Sequence, residues 1–393
     1  MIEFRSIYVN ADCHPEETMS LYRNAEQQLD SFLRKGIENY TKSRNYDFGA
    51  ENRGNVSRLS PYISHRLMLE YDAIKEALAL YPFSKIEKFI EEIFWRVYWR
   101  GWLEQRPTVW KAFRNHPKPT SDDLNYLSAV NANTGIDCFD HWVHELKTHN
   151  YLHNHARMWF ASIWVFTLGL PWQWGARFFL EHLLDGDSAS NTLSWRWVAG
   201  IQTKGKTYLA RQDNIHKYTA GRFLPDGLAG YARPVEDDQF HALCPIPANQ
   251  TTETISEVLI VCDADLSIKD RHQLFEGYDR IIVLFLENES REIKLHENLN
   301  RFKETALLDF SIKVDNTSIV KSTEFAKVIG NTKKFDVIYP GVGENKDFLT
   351  DLAQEHGLAL SFLSQEADLC AWQFANKGFF NFKKNIPHII SQI

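Results

Sequence analysis

An all-helical domain followed by a parallel α/β domain is the fold class that three observations predict. The chain has 393 residues, more than the roughly 250–300 at which a single hydrophobic core stops growing. Apolar residues recur three and four apart before residue 235, and the pattern changes to short β-branched runs after residue 255. Eleven of the twelve tryptophans lie between Trp95 and Trp197, so the aromatic core belongs to the first part. The expected boundaries are 1–234 for the helical domain, 235–255 for a linker and 256–393 for the α/β domain.

Each element follows from its local pattern. Residues 20–40 (SLYRNAEQQLDSFLRKGIENY) read as an amphipathic helix. In KIEKFIEEIFWRVYWRGWLEQ, Ile86, Phe89, Ile90, Ile93, Phe94 and Val97 mark one face of a second helix. HARMWFASIWVFTLGL is apolar almost all round and stops at Gly169 and Pro171, which predicts a buried helix. The stretch 235–255 contains Pro and lacks periodicity, as a linker does. Beyond it, residues 258–264, 280–287, 335–341 and 358–363 read as buried parallel strands, with helical stretches between them. Regular β–α alternation implies a Rossmann-like sheet with right-handed crossovers. Gly341-Val342-Gly343-Glu344-Asn345 joins a strand to a helix. It reads as a simple turn, or as a seat for a phosphate on the helix N-terminus.

Composition narrows the function classes. Hydrophobic residues make up 44% and charged residues 24%, a globular profile. Residues 1–250 are nearly neutral, with 28 Lys and Arg against 29 Asp and Glu; residues 251–393 carry 16 against 22, so the acidity is C-terminal. No apolar run approaches the roughly 20 residues that span a bilayer, so no membrane association is expected. The opening MIEFRSIYVNADCHPEE lacks a secretory pattern. The five cysteines are scattered without a CxxC pair, which points to a reducing, cytoplasmic setting and no metal centre. His141, His144, His149, His153 and His155 crowd one stretch, and His141 and His144, three apart, could share a helix face; a metal site there would also want carboxylates or thiols and a second shell.

Three segments of the helical part resemble the FAD-binding domain of the cryptochrome/photolyase family. The first is Ser57-Arg58-Leu59-Ser60-Pro61-Tyr62, similar to the family's phosphate-binding turn, with Val56 where a Thr is common. The second is Glu92-Ile93-Phe94-Trp95-Arg96. The third runs from His153-Asn154-His155-Ala156-Arg157-Met158 through Trp172 and Leu184-Asp185-Gly186-Asp187 to Asn191 and Trp195-Arg196-Trp197. The resemblance covers about residues 20–225 and implies FAD as cofactor. It assigns the phosphates to Ser57, Arg58, Leu59 and Ser60, with Tyr40 or Tyr46 reaching them. It assigns the flavin ring to Arg157, Asp185, Gly186 and Asp187, with Asn154 and Arg96 beside it and Asn191 at the reactive edge. It also implies an antenna chromophore of unidentified kind and a domain order reversed from that of relatives.

The same resemblance implies a substrate. Glu92 and Trp95 occupy positions that hold a flipped-out DNA lesion, a role that needs an aromatic wall and a polar group. Asn154 and Met158 stand where relatives acting on (6-4) lesions carry a His pair, so cyclobutane pyrimidine dimers are the expected substrate. Trp195 and Trp172 match the first two members of a light-driven electron chain. Its third member is open among Tyr126, Trp110 and Tyr151. After Trp197 the sequence departs from the common repair pattern, and Lys204, Lys206 and Arg211 there are either phosphate contacts or a solvated loop. The implied activity is light-driven dimer repair on damaged single- or double-stranded DNA. The alternative is a blue-light photoreceptor that acts through a protein partner.

Overall fold

The computed structural model describes residues 20–237, 241–246, 250–251 and 256–392. The readings of the opening segment and of part of the linker fall outside those residues. The first part is helical: α1 (Leu21–Lys35), α2 (Ile37–Ser43), α3 (Ser60–Ser64), α4 (Glu70–Leu80), α5 (Phe83–Glu104), α6 (Pro107–Arg114), α7 (Leu124–Val130), α8 (Asp137–His149), α9 (Asn154–Ser162), α10 (Trp172–His182), α11 (Ser188–Val198) and α12 (Gln212–Tyr218). The expected single helix over 20–40 is two, broken at Gly36. In α5 all six residues named from periodicity are buried. Each contributes about 1.5–3 kcal/mol by leaving water. After α9 the backbone widens into a π-turn over Ile163–Thr167 and then ends before Pro171.

The second part is a parallel sheet with strands β1 (Gln250–Thr251), β2 (Val258–Cys262), β3 (Arg280–Phe285), β4 (Thr317–Lys321), β5 (Lys334–Ile338) and β6 (Ala359–Leu363). The spatial order is β1-β6-β5-β2-β3-β4, and every neighbouring pair is parallel. The four strands read from the sequence are β2, β3, β5 and β6. The other two went unread for physical reasons. β4 is an edge strand with one buried side chain, and β1 is two residues long, inside the stretch read as linker. Helices α13 (His272–Glu276), α14 (Glu297–Lys313), α15 (Phe325–Val328), α16 (Glu344–His356), α17 (Glu366–Trp372), α18 (Phe379–Lys383) and α19 (Ile386–Gln392) complete it.

The two parts pack closely. Trp372 of α17, the tryptophan outside the N-terminal cluster, is fully buried against α5 at Gly101. A Cβ on Gly101 would stand 2.5 Å from the indole, so only glycine admits this approach. Further along, α18 lays Phe379 on Trp95. Strand order reverses between β2 and β5, which opens a crevice at their C-terminal ends that faces the helical part.

Candidate functional site

Helical periodicity gathers the site. On α9, Asn154, Arg157, Met158 and Ala161 follow the 3.6-residue repeat along one face. On α11, Asn191, Ser194 and Val198 do the same, and on α5 so do Glu92, Trp95, Arg96 and Trp99. These three faces, with Arg44 and Asn45 after α2 and Leu183, Asp185 and Gly186 before α11, enclose a cavity of about 500 Å³. Trp195, Trp197 and Phe179 complete its walls. The volume lies within the roughly 300–1,000 Å³ usual for cofactor sites.

The charged end of the cavity is a fork. Arg157 donates from Nη1 and Nη2 to the two oxygens of Asp185 at 3.0 and 2.8 Å, and its Nε donates to the Leu152 carbonyl. Two parallel bonds fix both side chains, so neither charge is stranded. Asn191 donates its amide nitrogen to the Ala176 carbonyl at 2.7 Å, which holds it at the cavity wall. Asp187 takes a different place from the one the resemblance implies. It caps α11, accepting from the Ala189 and Ser190 amides, and its second oxygen pairs with Arg96. Burial raises its carboxyl pKa, but Arg96 and the Ser190 amide outweigh burial and hold it below the ordinary range. Asp187 therefore lines the neighbouring crevice, while Arg157, Asp185 and Asn191 meet in the larger cavity.

At the other end, Glu92 accepts from Arg44 Nη1 at 2.7 Å. Burial raises its carboxyl above the usual range, and Arg44 opposes the rise. Trp95 stacks on Phe379 with ring centres 3.6 Å apart and planes 11° apart. One indole face is thus covered from within the protein. Trp99 lies beside it at 5.1 Å.

The expected phosphate turn lies outside this cavity. Arg58, with φ of 53°, is exposed, Leu59 is buried at the start of α3, and the Ser57 carbonyl accepts from Gln28. Ser60 is exposed. Tyr40 is a core residue, edge-on to Phe32 and Phe89. Tyr46 stacks with Phe48 in a separate shallow groove. Between the two tyrosines, Arg44 and Asn45 reach the cavity instead. Sequence reasoning also missed Trp99, Ser194 and Trp197, although the repeat from Glu92 and from Asn191 marks the first two. Tyr151, an open candidate for the electron chain, lies under two guanidiniums, Arg53 at 4.8 Å and Arg157 at 5.3 Å from the ring centre. Those cations oppose a positive charge on its ring.

The crevice at the strand reversal is smaller, about 100 Å³, and crowded with protein charge. Asp263 pairs there with Lys303 and accepts from Asn345. Glu104 accepts from the Val342 amide at 2.7 Å and from the Tyr339 hydroxyl. The glycine turn at 341–343 therefore holds a carboxylate of the chain itself at the place considered for a phosphate. Among the described residues no three His, Cys, Asp or Glu side chains are grouped to hold a metal, and no helix is long and apolar enough to cross a membrane.

The donor set of the larger cavity fits a flavin: a bidentate cation–carboxylate pair, three amides, Asn45, Asn154 and Asn191, and two serines, Ser190 and Ser194, set among Trp95, Trp99, Phe179, Trp195 and Met158. The indole nitrogen of Trp195 is buried there without a protein partner. Residues 89–223 match the family model described as the FAD binding domain of DNA photolyase. A deoxyribodipyrimidine photo-lyase of Streptomyces griseus is 32% identical over 174 residues, 41% of this chain and 38% of that protein. One of Synechococcus sp. is 25% identical over 287 residues, 62% of this chain and 56% of that protein. The solved structure of a Synechocystis cryptochrome has 22% identity and a TM-score of 0.45, covering 51% of this chain and 43% of that one. The chain spans about two-fifths of the length of the first curated relatives it matches.

Proposed function

With residues 89–223 a FAD-binding domain of the photolyase/cryptochrome family, we propose that this protein repairs cyclobutane pyrimidine dimers in DNA by light-driven electron transfer from reduced FAD. One observation carries the reading: the Arg157–Asp185 fork and Asn191 share a single cavity with Glu92 and Trp95. The groups that this reading gives to the cofactor and to the lesion thus line one chamber. Arg157 and Asp185 would hold the flavin ring, the guanidinium offsetting negative charge on it and the carboxylate accepting from its imide N–H. When bound and excited by blue light, reduced FAD supplies the electron that splits a dimer.

The chain's own residues do the rest. Glu92 lines the cavity and can accept a hydrogen bond from a pyrimidine imide N–H. Arg44 keeps that carboxyl turned into the cavity. Trp95 offers its uncovered surface as the wall against which a flipped-out dimer packs. Met158, Phe179 and Trp99 exclude water, which strengthens each polar contact inside. Asn154 and Met158, lacking an imidazole, favour cyclobutane dimers over (6-4) products.

The test is blue-light illumination of the reduced protein with dimer-containing oligonucleotides. A fall in dimer content is expected; unchanged content in both single- and double-stranded substrates removes the repair reading. The stacking of Phe379 on Trp95 favours a second reading, a photoreceptor in which α18 covers one face of that indole and which signals to a protein partner. That reading predicts DNA binding that is weak and insensitive to salt. A repair enzyme that neutralises phosphates binds more weakly as salt rises.

A further inference from the structure

The aromatic rings around Trp195 do not continue in the direction that its match to an electron chain implies. Among the described residues no ring contact joins Trp195 to Trp172. The Arg196 guanidinium, paired with Asp237, lies 5.8 Å from the Trp172 ring centre. The next ring after Trp172 is Phe113, at 5.8 Å, which is far harder to oxidise than an indole. Beyond it, Trp110 is only 3% exposed, and its N–H donates to Asp347 beneath α16. That direction leads between the helical and α/β parts and ends on an indole that is buried rather than at the surface.

A second row of rings starts from the same indole. Trp195 meets Trp164 edge-to-face at 6.1 Å between ring centres. Trp164 meets Tyr126 at 5.9 Å, and Tyr126 meets Trp174 at 5.6 Å. These spacings lie within the range of edge-to-face ring contact. Trp174 is half-buried, and its N–H donates to the Pro117 carbonyl in an exposed bond. The row therefore runs from the cavity wall to water. Gly175 makes its first step: a Cβ there would stand 2.2 Å from Trp195 Cη2 and 3.0 Å from Trp164 Cε2. Any side chain at 175 would wedge the two indoles apart.

We propose that Trp164, Tyr126 and Trp174 form the electron relay of this protein, entered at Trp195 and ending at Trp174, in place of a route through Trp172. The proposal rests on the flavin occupying the larger cavity. Trp195 gives one electron to a photoexcited oxidised flavin, which is reduced by that electron, and becomes an indole radical cation. Trp164 refills Trp195, and Trp174 refills Trp164 across the Tyr126 ring. The Tyr126 ring, in contact with both Trp164 and Trp174, serves as the bridge. Trp174 releases its indole proton to water. A small thiol in solution then returns one electron and one proton, leaving the protein as it began and the flavin reduced by one electron.

The test compares wild type with Trp164→Phe, Trp174→Phe and Trp172→Phe. Bound flavin is read first from visible absorption. The long-lived protein radical after a blue flash is then read by electron paramagnetic resonance, which separates tryptophanyl from tyrosyl species. A tryptophanyl radical is expected in wild type and Trp172→Phe, and its loss in Trp164→Phe and Trp174→Phe. Trp174 is half-buried, so its variant reports even if Trp164→Phe disturbs the core. Loss in Trp172→Phe alone, or a tyrosyl radical in wild type, would overturn the relay while leaving the flavin site intact. Wild-type protein without flavin absorption would overturn the cofactor reading, and the relay with it.

Discussion

Arg66 and Arg157 are both guanidiniums held by aspartates in the interior, and the contrast between them separates binding from construction. Arg66 is 1% exposed and meets Asp265 at 3.0 Å, Asp368 at 2.7 Å and Glu70 at 3.4 Å. Tyr71 donates to Asp368, and Arg271 and Ser267 donate to Asp265. Each of those three acids is bound from another side as well, and the cluster ties α3–α4 to the α/β part. Arg157 has a single carboxylate, and its side chain keeps 23% of its exposure. The same two residue types serve as mortar where protein groups surround them. They serve as a seat where one side stays open to a cavity. The crevice at the strand reversal follows Arg66: Glu104, Asp263, Lys303 and Asn345 have consumed its room with partners of their own.

Removing Arg66 tests the construction side and should have the largest effect. Arg66→Ala leaves Asp265, Asp368 and Glu70 without their shared cation, and breaking a buried ion pair costs about 3–5 kcal/mol. The urea midpoint of the flavin-free protein should fall accordingly; a shift worth under about 1 kcal/mol would mean that solvent reaches the cluster and that it is no mortar. Arg157→Lys tests the seat. It keeps the charge but loses the two parallel bonds to Asp185. Flavin occupancy should collapse, while the flavin-free protein loses only about 1.5–3 kcal/mol, the worth of a hydrogen bond to a charged group. Equal losses of stability in the two variants would erase the distinction.

The helical half of the site was legible because its geometry is local. Asn154, Arg157 and Met158 share a face by periodicity alone, and the burial of Ile86, Phe89, Ile90, Ile93, Phe94 and Val97 follows from the same repeat. Asp185 and Asp187 show where such reading stops. Two residues apart on a loop, they look alike in a motif, yet Asp187 directly precedes α11 and is drawn to cap it. That signal was present in Asp-Ser-Ala-Ser before a helix, and the capping preference explains it. Phe379 on Trp95 and Trp372 at Gly101 join residues more than 250 positions apart. No local pattern announces such contacts, since only the packing of the α/β part on the helical part creates them. Strand β4 escaped because an edge position with one buried side chain leaves no alternation to detect.

His65 gives the finest probe of the mortar. Its Nδ1 lies 2.7 Å from the Asp263 carbonyl and its Nε2 3.3 Å from the Leu184 carbonyl, so the ring bridges the two domains. Burial lowers its pKa from 6.5 to about 4, with Lys303 adding to the fall and Asp263 opposing it. The folded protein thus refuses a proton that the unfolded chain accepts below about pH 6.5. The stability tied to the neutral ring is complete above that value and drains away as pH falls to about 4. His65→Gln keeps hydrogen-bonding capacity but cannot titrate. Its urea midpoint should fall less steeply than that of wild type between those two pH values, with the two curves parallel above neutrality. Parallel curves over the whole range would mean that the imidazole binds its proton equally well in the folded and the unfolded chain, as a solvated ring does. In that case the interface at His65 would resemble the solvated seat of Arg157 more than the dry cluster around Arg66.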